Sequence, residues 1–452
     1  MIFERVESEG LAHYSYIVGD GGEAVVVDPR RDCDVYVDLA RKAGMRIAFI
    51  LETHRNEDYV VGSAELADRT GASVHHADSQ LDYRYGEPVE DGQTWKVGRL
   101  ELTAMHTPGH TPGHMSYFLR DPDGEPWVVF TGDSLFAGDL GRVDLLGEES
   151  MHELAGLMYD SIHDRLLQLG DGVIVCPAHG EGSVCGSAIA ERTWTTIGLE
   201  RAQNPKLQLG SREEFIRAVA VTGERPPYFE RTERWNLEGA PSLGRVPSPP
   251  ALSPDAFAEA MGAAVVVDTR TELAFGSAHV PGAQSLWLEG LASFGGWFLP
   301  HDTPLLLVGR SNDVEEEVRR LLRMGYDDVA GFLAGGMLRW HMAGKASARI
   351  RTYTVHDICR FLDEGNELSI LDVRSDEEND ATTIPDALHI HLTELPERLG
   401  EVPRDGTLYV FCGSGLRSMV AASYLRRQGF NDLVVILGGL AGWKSTACPL
   451  EL

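Results

Sequence analysis

Residues 52–59 read Glu52-Thr53-His54-Arg55-Asn56-Glu57-Asp58-Tyr59. They follow directly on Ile47-Ala48-Phe49-Ile50-Leu51, an apolar run that reads as a buried strand, so His54 leaves in a loop just past a strand end. The arrangement recurs. Asp133 follows Val128-Val129-Phe130 through Thr131-Gly132, and His179 follows Val173-Ile174-Val175-Cys176 through Pro177-Ala178. His110 lies in Thr107-Pro108-Gly109-His110-Thr111-Pro112-Gly113-His114, where the Pro-Gly pairs enforce a tight loop on either side. Loops leaving several strand ends converge on one rim of a sheet, where α/β proteins place their sites. Singly, each of these side chains reads as an ordinary surface residue. The repeated placement points to a metal site. His75 and His76 lack such a context, and His106 and His114 are left open.

The chain has 452 residues, too many for one core, so two to four domains are expected. Hydrophobic content of 43% and charged content of 24% are those of globular protein. No run of about 18 apolar residues predicts a membrane span. Met1-Ile2-Phe3-Glu4-Arg5 lacks the basic start of a signal peptide, so a cytoplasmic protein is expected. The formal net charge of −29 argues against nucleic-acid and anionic-lipid partners. Cys33, Cys176, Cys185, Cys359, Cys412 and Cys448 are scattered without a Cys-x-x-Cys pair, which predicts free thiols rather than a disulfide framework or zinc knot.

The first block runs to about residue 225, and the domain built on it to about 240. A Pro-rich linker follows, opened by Arg225-Pro226-Pro227 and closed by Pro247-Ser248-Pro249-Pro250. It shows little periodicity, yet Tyr228, Phe229 and Trp235 need burial, so it is expected to pack along the surface. Beyond it the sequence repeats. Val265-Val266-Val267-Asp268-Thr269-Arg270 recurs as Ile370-Leu371-Asp372-Val373-Arg374, and Gly335-Gly336-Met337-Leu338-Arg339-Trp340 recurs as Gly438-Gly439-Leu440-Ala441-Gly442-Trp443. Each copy alternates strands and helices, which suits tandem α/β domains with parallel sheets, 251–347 and 348–452.

Thr53-His54-x-x-x-Asp58, Thr107-Pro108-Gly109-His110-Thr111, Phe130-Thr131-Gly132-Asp133, Gly141-Arg142-Val143-Asp144 and Pro177-Ala178-His179-Gly180 together resemble a persulfide dioxygenase of the metallo-β-lactamase superfamily. The resemblance covers residues 1–240 and implies an αββα sandwich. The superfamily's hydrolases use His-x-His-x-Asp-His to hold two metals. Here Asn56 replaces the second His and Tyr59 the last, so a complete two-zinc set is missing. His54, His110 and Asp133 remain, two histidines and a carboxylate, the ligand type of non-haem Fe(II) oxygenases. The resemblance implies one Fe(II) per chain at these residues, with O2 and a low-molecular-weight persulfide as substrates; zinc has no redox chemistry to offer. Asp58 is then an outer acceptor that orients a ligand histidine, and His179 and Tyr59 hydrogen-bond substrate or oxygen. Arg142 is expected to hold the active-site loop by pairing with a carboxylate. Cys185 is placed to handle sulfur near the iron, and reads equally as a buried inert thiol.

Tyr409-Val410-Phe411-Cys412-Gly413-Ser414-Gly415-Leu416-Arg417-Ser418 reads as a strand, a short glycine-rich loop and a helix start. Its N–H groups can point at the Cys412 sulfur, with the helix N-terminus behind them. Arg417 adds positive charge for sulfite or thiosulfate. This half resembles the rhodanese family, with Cys412 as sulfur carrier, Asp372-Val373-Arg374 as a structural strand end and Ile384-Pro385-Asp386-Ala387 where Pro-Gly-Ala is usual. In the first copy Val308 falls where the cysteine belongs, so 251–347 is expected to be non-catalytic. The combined resemblance implies a bifunctional enzyme that oxidises a persulfide to sulfite and converts sulfite to thiosulfate, thereby removing sulfide. A zinc thioester hydrolase of the glyoxalase II kind, and a scaffold domain beside a working sulfurtransferase, are the rival readings. Exposed sheet edges make a homodimer or tetramer the expected state.

Overall fold

The computed structural model describes residues 1–186 and 188–446. It divides into two units: Met1–Pro247 with Leu322–Gly325, and Ser248–Leu321 with the chain from Tyr326 onward. Cys448 and the end of the 348–452 segment lie outside the described residues.

The first unit holds two six-stranded sheets. One has the order β1 (Ile2–Ser8), β2 (His13–Asp20), β3 (Glu23–Val27), β4 (Arg46–Glu52), β5 (Ser73–His76), β6 (Glu87–Pro88). The other contains β7 (Thr94–Val97), β8 (Leu100–His106), β9 (Met115–Arg120), β10 (Pro126–Gly132), β11 (Ile174–Pro177) and β12 (Thr195–Thr196), neighbours in that order. Side chains alternate across each strand, which sorts the apolar residues into three cores. Tyr16, Val18, Val25 and Val27 meet Leu102, Tyr117 and Phe130 between the sheets. Ile17, Val26 and Ile50 face outward onto Tyr36, Ala40 and Leu66 of the helices Asp34–Lys42 and Ser63–Thr70. Phe118, Val129 and Val175 face outward onto Met151, Leu154 and Met158 of the helix Glu148–Asp160. The layers are helix, sheet, sheet, helix.

The linker is more ordered than its sequence suggests. Residues Phe229–Glu238 form a helix, with Tyr228, Phe229, Thr232 and Asn236 buried and Trp235 partly so. Its inward face is half polar, which hides it from a search for apolar periodicity.

The second unit repeats one topology. Its first sheet has the order β13 (Ala251–Leu252), β17 (Val329–Leu333), β16 (Leu305–Val308), β14 (Val265–Asp268), β15 (Gln284–Ser285), and its second β18 (Arg351–Thr354), β22 (Leu433–Leu437), β21 (Leu408–Phe411), β19 (Ser369–Asp372), β20 (Leu388–His389). All pairings in both are parallel. Arg374 and Asp372 pair at 2.6 Å with neither side chain exposed, and Arg374 also donates to the carbonyl of Thr382. Arg270 pairs with Asp268 in the same way. Asp386 stands in the left-handed region at φ 59°, as Gly282 does at φ 82° in the first copy. Aspartate tolerates that conformation better than most residues, which is why the missing glycine is accommodated.

The register corrects one assignment. Val308 pairs with Asp268 as Phe411 pairs with Asp372, so the position equivalent to Cys412 is Gly309, one residue beyond Val308. The copy still has no sulfur nucleophile. Its following helix opens with Glu315, Glu316 and Glu317, which repel an anion at the end where a helix would otherwise attract one. A second correction concerns thiols: Cys33, Cys176, Cys185 and Cys412 are free and buried, but Cys359 is disulfide-bonded.

Candidate metal centre and sulfur-transfer loop

Four strand ends deliver the first site: β4 leads to His54, β8 to His110, β10 to Asp133 and β11 to His179. All four side chains are buried. Gly132 makes the tight exit from β10 at φ 50°; a Cβ there would come within 2.6 Å of Thr53 Oγ1.

Hydrogen bonds behind the histidines set which nitrogen faces the site. His110 Nδ1–H donates to the Arg142 carbonyl at 2.8 Å, leaving Nε2 inward. Thr53 Oγ1 gives its one hydrogen to Asp28 Oδ2 at 2.8 Å and therefore accepts from His54 Nδ1–H at 2.9 Å, again leaving Nε2 inward. This is the outer support that metal-ligating histidines use. Burial pushes the Asp28 carboxyl up to about 7 against the pull of its Thr53 bonds. His114, left open by the sequence, is a positioning residue. It accepts the Asp133 N–H at 3.1 Å on Nε2 and donates from Nδ1 to Thr107 Oγ1 at 2.9 Å. His106 instead bonds the Pro112 carbonyl at an exposed position.

His110 Nε2 lies 3.6 Å from Asp133 Oδ2, and His179 Nε2 lies 3.5 Å from Asp133 Oδ1 and 3.6 Å from Asp58 Oδ2. Asp133 thus stands between two clusters. A residue the sequence reading passed over enters the first: Glu57 Oε1 is 3.2 Å from His110 Nε2. Cys185 Sγ is 3.8 Å from the same Glu57 oxygen, and its thiol is held well above its usual range by burial and by Asp58, Asp133 and Glu57.

The residues present fit a cation. His54 Nε2, His110 Nε2, His179 Nε2, Glu57 Oε2 and both oxygens of Asp58 and Asp133 are buried without a hydrogen-bond partner. Leaving one such atom unsatisfied costs about 1–3 kcal/mol, so a cluster of them is explained by an ion they share. Burial opposes charge on His110, yet Glu57 and Asp133 beside it push it up to about 9. Burial, with Glu57 and Asp133 adding to it, pushes Asp58 up to about 7.

At the two replaced positions the side chains are engaged locally. Asn56 Nδ2 donates to the carbonyl of His54 at 3.2 Å, while its Oδ1 is buried without a partner. The Tyr59 hydroxyl points to the Asp28 carbonyl at 3.4 Å and its ring packs on His13 at 3.8 Å. It is therefore directed elsewhere than at a substrate beside Asp133. Arg142 pairs bidentately with Asp144 at 2.7 Å, donates to the Glu224 carbonyl at 2.8 Å, and its N–H bonds the Cys185 carbonyl at 3.1 Å. It ties the Cys185 loop to the loop that orients His110.

Asp28→Asn should weaken metal retention about 10- to 100-fold, the usual cost of removing a residue that orients a ligand. Competition against a chromogenic chelator reads this; an unshifted curve would show that Thr53 orients His54 without Asp28.

At the second site, Cys412 is fully buried. The N–H groups of Gly415 and Ser418 point at its sulfur, at 3.1 and 3.4 Å. The loop is turned this way from behind: the carbonyls of Cys412, Gly413 and Ser414 accept from Leu440, Ala441 and Gly438. Gly439 is needed there, because a Cβ would collide with the Cys412 carbonyl. Leu416 starts the helix Leu416–Arg427. Arg417 is drawn to Glu378, at 2.7 Å for one of two contacts, so its charge is shared with a carboxylate beside Gly413.

Residues 9–179 match the metallo-β-lactamase superfamily, and residues 253–343 and 354–446 each match the rhodanese-like domain. The chain is 30% identical over 217 residues to the mitochondrial persulfide dioxygenase ETHE1 of Bos taurus, covering 46% of this chain and 75% of that protein. It is 31% identical over 185 residues to a hydroxyacylglutathione hydrolase of Polaromonas sp., covering 40% and 66%. A crystal structure of a metallo-β-lactamase from Staphylococcus aureus superposes with a TM-score of 0.66 at 27% identity, over 74% of this chain and 98% of that one. Among the described residues no helix is long and apolar enough to cross a membrane. The chain belongs to the metallo-β-lactamase superfamily, in a form whose first half is related to the persulfide dioxygenases and whose second half carries two rhodanese-like domains.

Proposed function

We propose that the chain oxidises a low-molecular-weight persulfide to sulfite at a single Fe(II) and converts sulfite to thiosulfate at Cys412. The observation that supports this most is the convergence of His54, His110 and Asp133 with both histidine tautomers set for ligation. Bound iron supplies the redox chemistry between the persulfide and O2: R–S–SH, O2 and water give R–SH, sulfite and two protons. The chain's own part is to hold the ion among buried side chains and, through the Nδ1–H bonds, to fix the tautomer that turns each Nε2 toward it. In the rhodanese half, the Cys412 thiolate attacks the outer sulfur of a second persulfide. The S–S bond breaks, R–SH leaves and Cys412 carries the persulfide. Sulfite then attacks that outer sulfur, thiosulfate leaves and the Cys412 thiolate is restored. The product of residues 1–240 is the acceptor for residues 348–452, and one chain joins them. Residues 251–347 lack a nucleophile and serve packing or positioning.

Asp58, His179 and Cys185 form a further group able to hold an ion. This observation favours a two-metal hydrolase as the second reading. Metal analysis decides between them. Protein purified anaerobically should hold about one iron per chain; two zinc ions per chain would overturn the dioxygenase.

A further inference from the structure

We propose that Glu57 is a fourth ligand of the metal held by His54, His110 and Asp133. The inference rests on the metal-centre reading above. Glu57 occupies what looks like a spacer in the loop, between Asn56 and Asp58. Its carboxylate is wholly buried, and Oε2 has no hydrogen-bond partner.

The geometry is that of neighbouring ligands. His110 Nδ1 is committed to the Arg142 carbonyl, so the nitrogen that faces Glu57 is the coordinating one. Glu57 Oε1 stands 3.2 Å from it. Two donors bound side by side at about 2.1 Å from one ion are themselves about 3 Å apart. Ligand atoms of His54, Glu57 and His110 all lie within 4.8 Å of one another, and those of Glu57, Asp133 and Cys185 do so as well. Glu57 is the residue common to both groups, which places it between the histidine side and the Asp133 side.

The loop is built to hold it there. The linker helix reaches the backbone carbonyls of four successive loop residues: Asn236 Nδ2 donates to Asn56 and Tyr59 at 2.7 and 2.8 Å, the Tyr228 hydroxyl to Asp58 at 2.7 Å, and the Thr232 hydroxyl to Glu57. With the backbone fastened outward, the Glu57 side chain is left on the ligand side. Glu57 thus offers a carboxylate one position beyond Asn56, where the hydrolase motif carries a neutral imidazole. Two carboxylates and two neutral imidazoles balance a divalent ion's charge.

The test uses the full chain, stripped of metal and reloaded anaerobically with Co(II), as wild type, Glu57→Gln and Glu57→Asp. The expected result for Glu57→Gln is a shifted Co(II) visible spectrum and a loss of more than about 100-fold in chelator competition, beyond the 10- to 100-fold cost of an outer hydrogen-bond partner. Glu57→Asp keeps the carboxylate and should recover part of both, which keeps the test readable if the glutamine variant does not fold. A Glu57→Gln spectrum identical to wild type would overturn the assignment, whatever the change in affinity. Failure of the broader reading looks different: a wild-type chain that binds no Co(II) removes the metal centre and Glu57's role together.

Discussion

His110→Ala is expected to abolish persulfide-dependent O2 uptake and to strip the chain of its metal, while sulfur transfer at Cys412 continues. The imidazole contributes the inward Nε2, and its Nδ1–H bond to Arg142 secures that orientation. It also separates carboxylates: Glu57 Oε1 and Asp133 Oδ2 lie 3.2 and 3.6 Å from its Nε2. Its removal leaves those carboxylates facing one another with one ligand fewer to hold the ion. Even a residue that merely orients a ligand contributes about 10- to 100-fold in metal affinity, so a ligand should exceed about 100-fold. An oxygen electrode and elemental analysis read the two effects. Persistent O2 uptake by the alanine variant would remove His110 from the ligand set. Thiosulfate sulfurtransferase activity of the same sample is the internal control for folding.

The second large effect is expected from Cys412→Ser. Oxygen in place of sulfur cannot carry a sulfane sulfur, so transfer should fall by at least about 1,000-fold. O2 uptake should persist, and the product should shift from thiosulfate to sulfite. The Gly415 and Ser418 N–H groups, at 3.1 and 3.4 Å from the sulfur, are placed to stabilise a Cys412 thiolate. Chromatography of bimane-derivatised products separates sulfite from thiosulfate. Unchanged thiosulfate would show that another group carries the sulfur. Gly309 cannot be that group, having no side chain.

Much of both sites was legible because each begins where a strand stops. An apolar run followed by a polar or glycine-rich loop marks the place locally for His54, Asp133 and Cys412, and flanking Pro-Gly pairs mark it for His110. The residues that went unread act across the fold. Asp28 and His114 gave no local signal, since their value lies in partners on other strands. The linker helix escaped because Thr232 and Asn236 spend their polar groups inside the protein. The one-residue slip between Val308 and Gly309 came from aligning motifs; strand pairing with Asp268 resolves it.

The chain's own order of residues determined the tandem repeat, the lack of a sulfur nucleophile in the first copy and most of the candidate donors. These follow from periodicity, from glycine placement and from side-chain chemistry, all local quantities. Only the tertiary structure decided which way each donor faces. Asn56 and Glu57 are adjacent, and on chemistry alone either could reach a metal. Carbonyl bonds from residues 170 to 180 positions further along hold that loop so that Asn56 turns back on it and Glu57 faces inward. A buried carboxylate's direction is set by whatever satisfies the backbone behind it, and that partner is visible only once the chain has folded.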